Sequence, residues 1–258
     1  MSAIHETAVI EAGAEIGADV KIAPYVVIGP NVTLGAGVEV GPHAVIEGHT
    51  RIGAKSRISS FAAIGLEPQD MDYDDQPTLV EIGESCSIRE FVTIHRGTEK
   101  GGGLTRVGNH CMIMAYCHVA HDCRVGDHVT MANGATLAGH VEIQEYAVIG
   151  GLTAIHQFAR IGRNAFVGGA SAISMDVMPY MSAAGNRSRV TGVNVVGLRR
   201  HGFSEESIKL IRKAHRLVFR SNLRLEQAVE QIERDLSPIK EVQYLLEFIQ
   251  SSQRGICR

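Results

Sequence analysis

The fold is decided by Val20–Gly48, which reads VKIAPYVVIGPNVTLGAGVEVGPHAVIEG. Ile22, Ile28, Leu34, Val40 and Ile46 recur every six residues, and a smaller residue precedes each by two: Val20, Val26, Val32, Val38 and Ala44. An amphipathic helix has period 3.6 and a half-buried strand period 2, so neither explains a beat of six. Backward the beat continues through Ile16 and Ile10 to Ile4, and forward through Ile52 and Ile58 to Ile64. It returns at Ile82, Ile88 and Ile94, then runs unbroken from Val107 to Ile173. A unit of six residues cannot bury its own apolar side, so successive units must stack into the coils of a parallel β-helix.

The repeat resembles the left-handed hexapeptide family, in which three hexads make one triangular coil. That resemblance implies an all-β left-handed parallel β-helix, with the aliphatic and the small fifth residue pointing inward. Gly29, Asn31, Gly35 and Gly37 then suit corners that need unusual backbone angles. Two stretches break the beat and are expected as loops. Residues 66–80 (LEPQDMDYDDQPTLV) carry four aspartates and two prolines, and residues 95–106 (HRGTEKGGGLTR) carry a Gly triplet. Loops leaving a rigid scaffold are where binding residues tend to sit. The β-helix with these loops is expected over 1–185 and a small helical domain over 186–258. In the latter, Ser204 with Glu205 and Glu206 marks a capped helix start, and Ile208, Ile211, Ala214 and Leu217/Val218 form its apolar face. A second helix carries Ala228, Val229, Ile232 and Leu236 and stops near Pro238; a third carries Val242, Leu245, Leu246 and Ile249.

A net charge of −3 argues against general nucleic-acid binding. The first residues, MSAIHETAVIEAGAEIG, contain no basic segment followed by an apolar run, and no eighteen consecutive residues are apolar. A cytoplasmic protein without an integral membrane segment is expected. Cys86, Cys111, Cys117 and Cys123 all occupy the inward fifth slot, where a free thiol acts as a small buried hydrophobe.

Four histidines fall within His118–His140. None takes an inward slot: His118 is sixth in its hexad, His121 third and His140 fourth, and farther on His156 is second. His121 and His140 are nineteen residues apart, one coil plus one residue, and stacked strands lie about 4.8 Å apart. The two therefore project from nearly the same corner at neighbouring heights. Such a pair serves metal binding or acid–base work near neutral pH. The gamma-type carbonic anhydrases place three histidines on zinc on this same fold. His118 and His121, three apart, do not match that family's spacing, and no further ligand is obviously placed. Asp122 directly follows His121 and can orient an imidazole base, so proton transfer is favoured over metal.

IREFVTIHRGT (Ile88–Thr98), GGGLT (Gly101–Thr105), HVAHDC (His118–Cys123), LAGHV (Leu137–Val141), HQF (His156–Phe158) and RRHGFS (Arg199–Ser204) occur together and in order. Together they resemble the acyl-carrier-protein-dependent UDP-N-acetylglucosamine O-acyltransferases, which begin lipid A synthesis, and the likeness spans the whole chain. It implies transfer of an (R)-3-hydroxyacyl chain from acyl carrier protein to the sugar 3-hydroxyl by a homotrimer, with no metal or other cofactor. It assigns His121 as general base, Asp122 as its orienting partner, and the backbone N–H of Gly139 as oxyanion donor. It further implies that His118, His140, His156 and Gln157 hold the sugar and diphosphate. Gln69 and Asp70 would contact the glucosamine ring, and Asn194 with Arg200 the nucleotide end. Gly169 matches the position that sets acyl length, eight hexads beyond His121, about 2.7 coils or roughly 13 Å of rise.

The chain departs from the family pattern in one neighbourhood. Asp72 stands where lysine is common, Val196 where an acidic residue is common, and His201 where a second arginine is usual. The same transfer to a 3-amino analogue of the sugar therefore stays open as an alternative, beside the metal-dependent lyase. The N-acyltransferases of the same pathway carry a domain ahead of the repeat, and here the hexads begin at Ile4. Residues 199–224 hold eight Lys/Arg, a basic face suited to a small acidic carrier protein.

Overall fold

The computed structural model describes residues 2–236 and 239–258. Met1, Ser237 and Pro238 lie outside them, so the expected helix stop at Pro238 is not addressed. The chain is a left-handed parallel β-helix followed by a small helical domain.

Each hexad contributes a strand of about two residues, a tight turn follows, and every third strand hydrogen-bonds to the same sheet. Three faces result. The first has eleven strands beginning with Ala3–Ile4, the second nine from Val9–Ile10 to Ala172–Ile173, and the third eight from Glu15–Ile16 to Arg160–Ile161. Within the coils pairing is parallel, so like residues stack: Ile4 on Ile22, Ile10 on Ile28, Val107 on Val125 and Val125 on Ile143. This is why a beat of six suffices. The aliphatic of each strand and the small residue two before it both point into the prism, and from Val20 to Ile173 nearly all are fully buried. The four hexad cysteines are part of this core, and all five cysteines are free thiols.

Both interruptions leave the same corner, between the second and third faces. The ordered strands trim them on each side. Leu66 ends one strand, and Leu79 and Val80 already belong to the next, Leu79–Ile82. His95 ends the strand Thr93–His95, and the following strand is Leu104–Val107. The loops are thus shorter than 66–80 and 95–106. The reason is local pairing: Leu79–Ile82 runs in register over four residues with both His49–Ile52 and Leu104–Val107.

The upper end departs from the expected helical start at 186. Met181–Ala184 adds to the first face, and Arg189–Val193 folds back antiparallel upon it. Without that hairpin the last coil would present an unpaired strand edge. Helices begin at Val195: α1 is Val195–Arg200, α2 Glu205–Phe219, α3 Leu225–Leu236 and α4 Lys240–Gln250. The Ser204 hydroxyl accepts from Ser207 N–H at 3.0 Å, as its cap position requires. A second core of Met178, Tyr180 and Met181 with Leu198, Ile208, Ile211, Leu245 and Phe248 joins helices to coil.

Candidate active site

The corner between the second and third faces carries Asp122, His140 and Phe158 on three successive coils, each with φ close to +60°. Left-handed backbone costs a non-glycine residue about 1 kcal/mol or more, so it persists where stacking determines it. Here each coil's amide is held by the coil below: His140 N–H donates to His121 O at 3.0 Å, and Phe158 N–H to Gly139 O at 3.3 Å. The side chains then project from the prism edge and pile up, with His140 stacked on Phe158 at 4.5 Å and edge-on to His121 at 5.1 Å.

His121 Nδ1 lies 2.8 Å from Asp122 Oδ2, and His140 Nε2 lies 3.8 Å from the same oxygen. The Asp122 side chain is 1% exposed and that of His121 13%. The imidazole thus sits outside the coil yet is largely covered. Burial alone would raise the Asp122 carboxyl, but hydrogen bonds from His121 and Thr98 outweigh it and hold the group below its usual range. With its Nδ1–H donating to Asp122 Oδ2, His121 keeps a lone pair on Nε2, the arrangement of a general base. Burial lowers His140, against the opposing pull of Asp122.

Gly139 meets the free edge of that ring. A Cβ built on it would lie 2.5 Å from His121 Cε1 and 2.6 Å from Nε2, so only hydrogen fits. Among the described residues, no protein acceptor takes the Gly139 N–H. His118 stands on the second face, with Nδ1 2.6 Å from Thr93 Oγ1. Burial, with like charge from His95 and His121, pushes it down to about 4. It is therefore neutral near pH 7. His156 and Gln157 are exposed one coil above Gly139. Gln69 and Asp70 lie in the lower loop, and Asp70 is near enough to His140 and Lys100 to act on both.

Other expected residues are elsewhere. Asn194 caps α1: its Oδ1 accepts from Gly197 N–H at 3.1 Å and its Nδ2 donates to Asn164 O at 2.9 Å. One N–H and one oxygen lone pair of its amide are thus engaged within the chain. Arg200 lines a cleft of about 1000 Å³ with Tyr146, Arg163, Asn164 and His201. Tyr146 and Asn164 mark the corner between the third and first faces, a full face away from His121. Gly169 follows the first-face strand Phe166–Val167, so it sits at the remaining corner. The rise of about 2.7 coils, roughly 13 Å, is as hexad counting gives it, but the two residues lie on different corners. Eight hexads are two whole coils and two further faces.

Sequence reasoning gave no role to several residues here. His95 is 7% exposed, edge-on to His118 at 5.0 Å, and its Nδ1 has no partner among the described residues. Arg96 ties down the lower loop, donating to Tyr73 OH at 2.9 Å and to Gly65 O at 3.1 Å. Asp72 accepts from Lys100 Nζ at 2.6 Å, so the cation missing from its own loop stands opposite it on the next. His95 and Arg96 lie inside the HRGT motif, which was the available signal.

A three-faced coil of hexads with a buried carboxylate–imidazole pair on one corner is the build of a hexapeptide-repeat transferase. The model of the bacterial transferase hexapeptide matches residues 2–36 and 104–139. That of UDP-N-acetylglucosamine O-acyltransferase, domain 2, matches residues 176–257. The chain is 48% identical over 258 residues, all of both proteins, to an acyl-[acyl-carrier-protein]–UDP-N-acetylglucosamine O-acyltransferase of Halorhodospira halophila. It is 55% identical over 262 residues to one of Paracidovorax citrulli, again covering all of both. Its structure resembles that of LpxA from Acinetobacter baumannii, with TM-score 0.96, 43% identity and 99% of each chain covered. The chain belongs to the acyl-[acyl-carrier-protein]–UDP-N-acetylglucosamine O-acyltransferase family.

Proposed function

We propose that this protein transfers an (R)-3-hydroxyacyl group from acyl carrier protein to the 3-hydroxyl of UDP-N-acetylglucosamine, the first step of lipid A synthesis. The observation that carries the mechanism is the His121–Asp122 pair at 2.8 Å on an outward corner, with Gly139 against the ring's free edge. His121 Nε2 takes the hydroxyl proton as the sugar oxygen attacks the thioester carbonyl carbon. Asp122 holds the imidazole and offsets the charge it gains. The Gly139 N–H donates to the oxyanion of the tetrahedral intermediate. The C–S bond then breaks, the ester carbonyl re-forms, and His121 returns the proton to the departing thiolate. A thioester is already activated, so this route needs one base and one donor.

Sugar recognition falls to residues above and below: His140, His156 and Gln157 on the upper coils, Gln69 and Asp70 on the lower loop, and His118 as a neutral neighbour. Arg200 and the cleft beside it suit the nucleotide end, with Asn194 in support as the cap of α1. That cleft and His121 occupy different corners of one prism. A homotrimer, in which one subunit brings its cleft to the catalytic corner of the next, reconciles them. A second copy also gives Gly169 a way to reach the acyl chain. The basic side chains of α2 suit an acidic carrier protein, and five free thiols suit a reducing cytoplasm.

A second reading has one observation behind it: ligand atoms of His121, Asp122 and His140 all lie within 4.8 Å of one another, close enough to share a cation. His121→Ala separates the two. In the acyltransferase reading it costs about 10²–10⁴-fold in kcat, the usual worth of a general base, and wild-type activity survives exhaustive chelation. Product mass spectrometry with acyl carrier protein and both the 3-hydroxy and 3-amino sugar nucleotides reads the acceptor. Silencing by chelator with rescue by zinc would favour the lyase.

A further inference from the structure

Asp122 is the only carboxylate in contact with His121 among the described residues, and one side chain grips it from behind. Thr98 Oγ1 donates to Asp122 Oδ2 at 2.7 Å, and Thr98 N–H donates to Oδ1 at 3.0 Å. Thr98 is itself fixed. It caps the short turn Glu99–Gly101, its hydroxyl oxygen accepting from Gly101 N–H at 3.1 Å. With that lone pair occupied, the hydroxyl proton is directed at the carboxylate. Gly101 closes the clamp: a Cβ there would lie 2.0 Å from Asp122 Cγ. From the coil side, Asp122 N–H donates to Thr105 Oγ1 at 2.8 Å. Oδ2 is thus shared by the Thr98 hydroxyl and the His121 ring.

We propose that Thr98 is a positioning residue for acyl transfer, holding Asp122 so that its Oδ2 fixes the tautomer and the plane of His121. This rests on the reading of His121 as the base. Thr98 does not face the substrate: it is 5% exposed and covered by its own turn. Its effect must therefore pass through Asp122. Loss of the hydroxyl removes one of two directional donors to Oδ2 and lets the carboxylate rotate. It also leaves the charge less satisfied, so the His121–Asp122 pair holds an added proton more tightly.

The test compares Thr98→Val, Thr98→Ala and Thr98→Ser with His121→Ala in the full-length enzyme. Acyl transfer from acyl carrier protein is measured across pH, with kcat and sugar-nucleotide KM read separately. Thr98→Val, which keeps shape and backbone N–H, is expected to lower kcat about tenfold, less than full loss of a base. KM stays within about twofold, and the acidic limb of kcat/KM moves to higher pH. Thr98→Ser restores both rate and limb. Should Val fail to fold, Ala is read in the same way. An unmoved limb and wild-type kcat in the Val or Ala variant, or equal losses in Ser and Val, overturn the proposal. If His121→Ala itself retains activity, the underlying mechanism fails instead, and the two failures are distinct.

Discussion

Gly139→Ala is the sharpest test of the site, because it adds one methyl group and removes no hydrogen-bonding atom. The new Cβ would stand 2.5 Å from Cε1 and 2.6 Å from Nε2 of His121, whereas ordinary contacts begin near 3.4 Å. The ring must retreat by about 1 Å, and a misplacement of that size can cost on the order of 10²-fold. It has little room to do so. Its Nδ1 is bound to Asp122 at 2.8 Å, and Asp122 is bound in turn to Thr98 at 2.7 Å. Either the His121–Asp122 bond is lost or the corner backbone moves, and both displace the base from its acceptor. A loss of about 100-fold in kcat corresponds to about 2.7 kcal/mol of transition-state stabilisation.

The fold should barely register the change. Gly139 lies outside the left-handed region, so alanine meets no backbone penalty, and it loses less entropy on folding by about 0.4–1 kcal/mol. That gain offsets part of the ring displacement, and Tm should stay within about 3 °C. The assay is steady-state transfer from acyl carrier protein beside thermal melting of the same preparation. The amide donor to the oxyanion survives the substitution, so a deficit reports on displacement of the base, or of base and donor together where the corner backbone moves. A Gly139→Ala enzyme within threefold of wild-type kcat would refute both the contact and the role of His121.

Gly169→Met should shift donor preference towards shorter 3-hydroxyacyl chains with modest loss of total rate; its Cβ meets Gly151 O at 3.1 Å and Gly151 N at 3.7 Å, so the neighbouring coil has to give by only a few tenths of an ångström. An unchanged chain-length profile removes Gly169 from the site. Subunit mixing tests the split between corners: His121→Ala and Arg200→Ala proteins, each weak alone, should regain activity when co-folded, because some interfaces then pair two intact halves. No recovery at any ratio argues that each chain works alone.

The coil was legible because its signal is strictly local and repeated. Every inward slot sees the same neighbours one coil above and below, so Ile22 and Ile143 obey one rule. The upper end was not, because nothing in Arg189–Val193 has period six. That strand exists to cover the last edge of the first face, a demand that arises only once the coil is built. His121, His140 and Asp122 could be brought together from spacing because a nineteen-residue step on this fold has a fixed geometry. Asn194 and Arg200 could not be placed so, since they follow the hairpin and α1, where counting hexads no longer gives a corner. Thr98 was hidden for a further reason. A threonine in a glycine-rich insertion carries no pattern, and its value depends on which carboxylate the loop happens to reach.

The placement of that insertion follows from what a hexad coil is able to do. Its interior takes aliphatic and small side chains only, so a catalytic pair must sit on an outward corner. On a bare corner, water would solvate the carboxylate, compete for both of its oxygens and weaken its hold on the imidazole. Stacking another coil cannot help, because coils grow along the axis and leave the edge open. A segment that exits one coil below and folds upward over the edge can cover it. Residues 96–103 leave from that level of the same corner, and they bring a capped turn whose donors replace the excluded water. Gly101 lets the backbone close to within contact of the carboxylate, and Thr98 supplies two bonds from one residue. The break in the beat is therefore what makes the corner chemically different from every other corner on the prism.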